Sequence, residues 1–123
     1  MPLISGGDVD VFETHGARFS SYVRPSRGGG QLCTWRVDVP AGLRGAPHRP
    51  SREEVICCVD GELTIALDGT EYRLRPGDVA YVPSGSEIRL DGGPGGGAAL
   101  TTSLAGLEAT MSDGSRLRPP WTR

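Results

Sequence analysis

From residue 31 to residue 39 the chain alternates without a break, with Cys33, Trp35, Val37 and Val39 on one side and Thr34, Arg36 and Asp38 on the other. A side-chain period of two belongs to a strand with one buried face. No stretch of about ten residues carries an apolar stripe at helical spacing. Shorter apolar runs predict further strands over 9–12, 18–23, 54–59, 62–67, 71–74, 79–82, 87–90 and 98–104. Asp60-Gly61 and Asp68-Gly69 are dipeptides of the two-residue hairpin kind. Segments 25–30, 75–78 and 83–85 have turn composition, and 42–51 reads as a loop. The glycine-rich stretch 92–97 reads as a flexible connection without regular structure. Turns this closely spaced favour a meander that closes on itself, so the expected class is all-β, a single antiparallel barrel with little helix.

With 123 residues there is room for one domain and one modest core. The expected organisation is a single unit over 1–123, with an N-terminal arm of about 1–25 and a C-terminal tail of about 108–123. The formal charge is −2, and the basic residues, all arginine, are scattered along the chain. That argues against a nucleic-acid groove. Abundant arginine, glycine and alanine without lysine suggests a high-GC bacterial genome. No run is apolar and long enough to span a bilayer, and the N-terminus lacks a basic start followed by an apolar core, so a cytoplasmic protein is expected. Cys33, Cys57 and Cys58 are odd in number, with two adjacent, which reads as reduced and unreactive thiols.

Two stretches carry spaced polar and turn residues. The first runs Gly42, His48, Glu54, Gly61, and the second Gly77, Pro83, Gly85. Their order and spacing resemble the two signatures of the cupin superfamily. One is glycine, five residues, His-x-His, three or four residues, glutamate, six residues, glycine. The other is glycine, five residues, Pro-x-Gly, two residues, histidine, three residues, asparagine. The resemblance implies a jelly-roll barrel. In metal-dependent cupins the two histidines and glutamate of the first motif and the histidine of the second hold the ion. Here the second histidine of the first motif is Pro50, the histidine of the second is Ile88, and the asparagine position is Gly92. Two protein ligands fall short of the three that catalytic zinc commonly uses. Cys58 shares a strand face with Glu54 but lies about 13 Å further along. His15, Asp38 or a tyrosine could approach from elsewhere. The expectation is therefore no metal and no other cofactor.

What survives is His48 and Glu54, a pair suited to moving protons in an apolar barrel mouth, where burial and mutual pairing displace both pKa values. The alternative is a loop histidine and a glutamate paired with Arg49 or Arg52. Ile56, Cys58 and Ile88 are candidate pocket residues, and Trp35 is either an aromatic wall or core packing. Arg36 and Arg49 could hold an anionic group on a ligand, or be solvated surface residues. Small cupins resembling this chain include polyketide cyclases of bacterial secondary metabolism, and sugar-nucleotide epimerases of the fold work without metal. The resemblance thus implies a cyclase, isomerase or dehydratase acting on an oxygenated small molecule. Two alternatives remain open: a ligand-binding module without catalysis, and a metal-dependent oxygenase or isomerase with an atypical shell. A homodimer is expected, because a small barrel leaves sheet edges and apolar surface that a partner can cover; the N-terminal segment and Pro119-Pro120-Trp121 are candidate contact elements.

Overall fold

The computed structural model describes residues 3–123; Met1 and Pro2, the start of the expected N-terminal arm, lie outside the described residues. The strands are β1 (Asp10–Thr14), β2 (Ala17–Val23), β3 (Leu32–Val39), β4 (His48–Pro50), β5 (Glu54–Leu67), β6 (Thr70–Leu74), β7 (Val79–Val82), β8 (Ile88–Leu104), β9 (Ala109–Met111) and β10 (Arg116–Leu117). Helix is confined to the 3₁₀ turns Pro25–Arg27 and Pro120–Thr122. All pairings are antiparallel, as the alternation of the sequence requires of a sheet with one wet face.

Two long strands organise the barrel. β5 and β8, of 14 and 17 residues, pair along both their halves with register shifts near Asp60 and Gly61. On one side of that irregularity β1, β2, β3, the C-terminal half of β8, the N-terminal half of β5 and β7 follow one another. On the other, β10, β9, β4, the N-terminal half of β8, the C-terminal half of β5 and β6 do so. The sheet curls so that both halves turn their apolar faces inward, the jelly-roll barrel expected from the sequence. Cys33, Trp35, Val37 and Val39 are buried together with Ile56, Leu63, Ile65, Val82 and Ile88. Full burial of a side chain such as Leu63 or Ile65 is worth about 1.5–3 kcal/mol.

Three local readings are corrected. Asp60-Gly61 is not a hairpin turn but a bulge inside β5, with Gly61 at φ 62. A left-handed glycine serves both structures, so the dipeptide alone does not separate them. Residues 92–97 are not a flexible link; they are the middle of β8, pressed against neighbouring backbone. A Cβ on Gly92 would stand 1.9 Å from the Pro40 carbonyl oxygen, and one on Gly97 2.6 Å from that of Glu62. Glycine is there to let backbones meet. His48 lies not in a loop but on β4, between Ile88 of β8 and Met111 of β9.

The ends of the described chain close the barrel. His15 and Gly16, both at positive φ, make the β1–β2 turn. Residues 109–117 form a hairpin beside β4. Beyond it Trp121 stacks on Phe19 with ring centroids 3.8 Å apart, and its carbonyl accepts a 2.9 Å hydrogen bond from the buried Ser21 hydroxyl. The Pro119-Pro120-Trp121 segment therefore packs within its own subunit.

Candidate functional site

Between the two halves lies a cavity of about 130 Å³. The inward positions of β3 (Trp35, Val37, Val39) and β2 (Ala17, Phe19) form one wall. Ile88 and Leu90 from the opposite half of β8, with Met111 and Leu117, form the other, while Trp121 joins the first wall by stacking on Phe19. Four polar side chains interrupt this apolar lining: His15, His48, Glu54 and Thr101.

Glu54 opens β5, and the alternation Glu54, Ile56, Cys58 turns it inward, leaving it 6% exposed. Among the described residues no hydrogen bond or ion pair reaches its carboxyl. Burial, with no charged partner to offset it, pushes that carboxyl up to about 7. Near neutrality it is shared between acid and anion, able to give or take a proton.

His48 is held by a local contact. Its Nδ1 lies 2.9 Å from the Ala46 carbonyl oxygen, which can only accept, so Nδ1 carries the proton and donates. Nε2 of the neutral ring is then the free acceptor. Burial lowers the imidazole pKa, the Ala46 bond opposes that, and the charge of His15 lowers it further. His48 and Glu54 thus share one cavity without bonding each other, one displaced toward the neutral base and the other toward the neutral acid.

Of the other residues singled out in the sequence, Trp35, Ile56 and Ile88 line the cavity. Arg36, Arg49 and Cys58 do not. Arg36 alternates with Trp35 and so faces out, 3.1 Å from Asp38. Arg49 alternates with His48; it donates to the Gly85 carbonyl at 2.9 Å, with Glu87 and Asp68 alongside. Cys58 is fully buried further along β5, its thiol directed at the Asp60 carbonyl 3.6 Å away. Glu53 faces out and accepts from the Tyr81 hydroxyl at 2.8 Å.

Among the cavity residues that the sequence reading did not assign to the pocket are Thr101, Phe19 and Trp121. Thr101 pairs with both Trp35 and Ile56 and is 2% exposed; the spacing of Ala99, Thr101 and Ser103 carries that information. Phe19 sits in a run whose inward face is ambiguous. Trp121 follows two prolines in a segment with no period at all.

The residues do not fit the metal shell of the fold. Pro50 is wholly buried and Ile88 stands beside His48 in the sheet, so neither missing donor is replaced at its own position. Among the described residues no group of three or more His, Cys, Asp or Glu is arranged to hold an ion.

The comparisons agree with this architecture. A family model described as the cupin domain matches residues 35–92. A segment of 59 residues is 37% identical to the endoribonuclease YbeY of Myxococcus xanthus, covering 46% of this chain and 20% of that protein, so the chain spans about a fifth of that relative's length. Among solved structures, an RmlC-like cupin from Shewanella frigidimarina superposes with a TM-score of 0.73 at 20% identity, over 85% of this chain and 90% of the other. The polyketide cyclase RemF from Streptomyces resistomycificus gives 0.76 at 18%, over 85% and 79%. Salicylate 1,2-dioxygenase from Pseudoaminobacter salicylatoxidans gives 0.67 at 22%, over 76% of this chain and 26% of that one. At such identities the likeness to these structures is one of fold. The motif spacing, the cupin domain matched over residues 35–92 and the barrel agree: a little under half of the chain matches the cupin domain, and the chain has the jelly-roll fold of its cupin neighbours.

Proposed function

We propose that the protein is an enzyme of metal-independent, non-redox acid–base chemistry, a cyclase, isomerase or dehydratase acting on an apolar, oxygenated small molecule. One observation carries this reading: a carboxyl and an imidazole with unused polar atoms face a single apolar cavity, and burial displaces both toward neutrality. In that state His48 Nε2 accepts a proton from a carbon next to a carbonyl, or from a hydroxyl. Glu54 delivers its own proton to the carbonyl oxygen, or to a departing hydroxyl that leaves as water. The imidazolium formed is opposed by burial, which favours return of its proton to product or solvent. The fold-level likeness to a polyketide cyclase supports cyclisation within this set. Among the described residues no third His, Cys, Asp or Glu is placed with His48 and Glu54 so as to hold an ion, and proton transfer is the chemistry that these side chains themselves supply.

The test is proton exchange from an enolisable cyclic ketone in D₂O, followed by NMR with chelator-treated protein. Catalysed exchange that falls by about 10²–10⁴ in His48→Gln and in Glu54→Gln is the expected result. Exchange no faster than in buffer, with ligand binding that both variants weaken, would make the barrel a ligand carrier instead. Catalysed exchange that both variants retain would refute the roles of His48 and Glu54.

A homodimer and a cytoplasmic setting complete the proposal. Val55, Cys57, Val79, Tyr81 and Leu100 adjoin on the outer face of β5, β7 and β8, with Val79 57% and Tyr81 56% exposed. An apolar face of this kind suits a second copy of the chain. Three free thiols suit a reducing compartment. No helix is long and apolar enough to cross a membrane.

A further inference from the structure

The cavity also restricts what can enter it. Its volume is about 130 Å³, and an apolar protein cavity of about 150 Å³ accommodates one benzene molecule. The walls include three aromatic side chains, Phe19, Trp35 and Trp121, which suit the faces of a flat ring. Polar recognition inside rests on the Glu54 carboxyl, His48 Nε2 and the Thr101 hydroxyl. No arginine lines the cavity among the described residues, and the chain contains no lysine. Arg36 and Arg49 are held outside by Asp38 and by Gly85, Asp68 and Glu87. His15 stands exposed at the rim, in the β1–β2 turn. A carboxylate or phosphate drawn inside would lose its water, find no guanidinium or ammonium, and meet the negative charge that Glu54 carries when ionised. A hydroxyl or carbonyl, by contrast, can both give to and accept from the three groups present.

We infer that the ligand is a neutral, single-ring molecule bearing a hydroxyl or carbonyl, and that carboxylates, phosphates and fused polycycles are excluded. This substrate class rests on the acid–base reading of the same cavity and narrows it. Thr101 is a positioning residue here, a hydrogen-bond partner for the ligand oxygen that takes no proton itself.

The chain's two tryptophans, Trp35 and Trp121, both line the cavity. Their indole N–H signals in ¹⁵N-labelled protein therefore report occupancy without turnover. Phenol, benzoate and 9-phenanthrol are titrated at pH 7. Phenol should shift both signals saturably, benzoate should bind at least ~10-fold more weakly, and 9-phenanthrol should leave the signals in place. Thr101→Val should weaken phenol several-fold without altering the far-ultraviolet spectrum. Benzoate within tenfold of phenol, saturable binding of 9-phenanthrol at these signals, or no saturable shift with phenol would each overturn the inference. The two readings fail separately. Phenol binding by a protein that exchanges no protons would keep the ligand class and sink the enzyme, whereas proton exchange on a three-ring ketone would do the reverse.

Discussion

Replacing Glu54 with glutamine removes a charge that the folded barrel disfavours, and the gain should appear only where that charge exists. The carboxyl moves from 4.5 in the open chain to about 7 in the fold. At about 1.4 kcal/mol per pKa unit this is a penalty on the ionised form of about 3 kcal/mol. The sign follows from proton binding. Between pH 4.5 and 7 the folded state holds the proton and the unfolded state has released it, so stability falls as pH rises through that window and levels off above it. His48 works the other way: its pKa is lowered by burial, and its contribution grows as pH rises toward 6.5. It is present in both proteins and drops out of the comparison. Urea unfolding of wild type and Glu54→Gln at pH 4 and pH 8 measures the effect. The stability of the variant relative to wild type should increase by about 3 kcal/mol between the two pH values. A difference that stays constant within about 1 kcal/mol would mean that the carboxyl is solvated or paired, and the reasoning about the cavity would fail.

Three further outcomes are expected. Gly92→Ala puts a Cβ 1.9 Å from the Pro40 carbonyl oxygen, whereas Gly95→Ala meets nothing within 4 Å. The first should prevent folding or cost more than about 3 kcal/mol and the second should stay within about 0.5 kcal/mol, as read by thermal unfolding; equal behaviour would mean that 92–97 is a loose link after all. Trp121→Ala removes the stack on Phe19 and one cavity wall, and should cost about 3–5 kcal/mol in urea. A smaller loss would show that the C-terminal turn is not part of the core. Light scattering should give a mass near twice 13.0 kDa for wild type and near 13.0 kDa for Val79→Arg with Leu100→Arg; a monomeric wild type would leave the apolar outer face without its proposed partner.

The barrel was legible because period-two alternation and turn dipeptides survive in a single sequence. The 31–39 run put Trp35 and Arg36 on opposite faces of one strand, and the spacing from Gly42 to Gly92 assigned His48 and Ile88 to one site, where they pair in the sheet. What escaped depends on long-range contact. Nothing local shows that Asp60-Gly61 opposes Gly97 and Ala98 in another strand, so a bulge read as a turn. Nothing local shows that 92–97 must pass beneath Pro40 and Glu62, so close packing read as flexibility. Trp121 reaches Phe19 from across the whole chain, and only the fold makes it a cavity wall. The two arginines offered as anion-holding residues stand outside the cavity through the parity of the strand: residues next to an inward side chain face out.

The central claim is that a neutral imidazole and a protonated carboxyl act together in this cavity without a metal ion. The pH dependence of proton exchange by chelator-treated protein tests it most directly. The account predicts a bell-shaped profile: activity falls at high pH as Glu54 ionises, with a midpoint near 7, and falls at low pH as His48 takes a proton below its ordinary value. A profile without the limb near 7, or exchange that appears only when a divalent metal is restored, would contradict it.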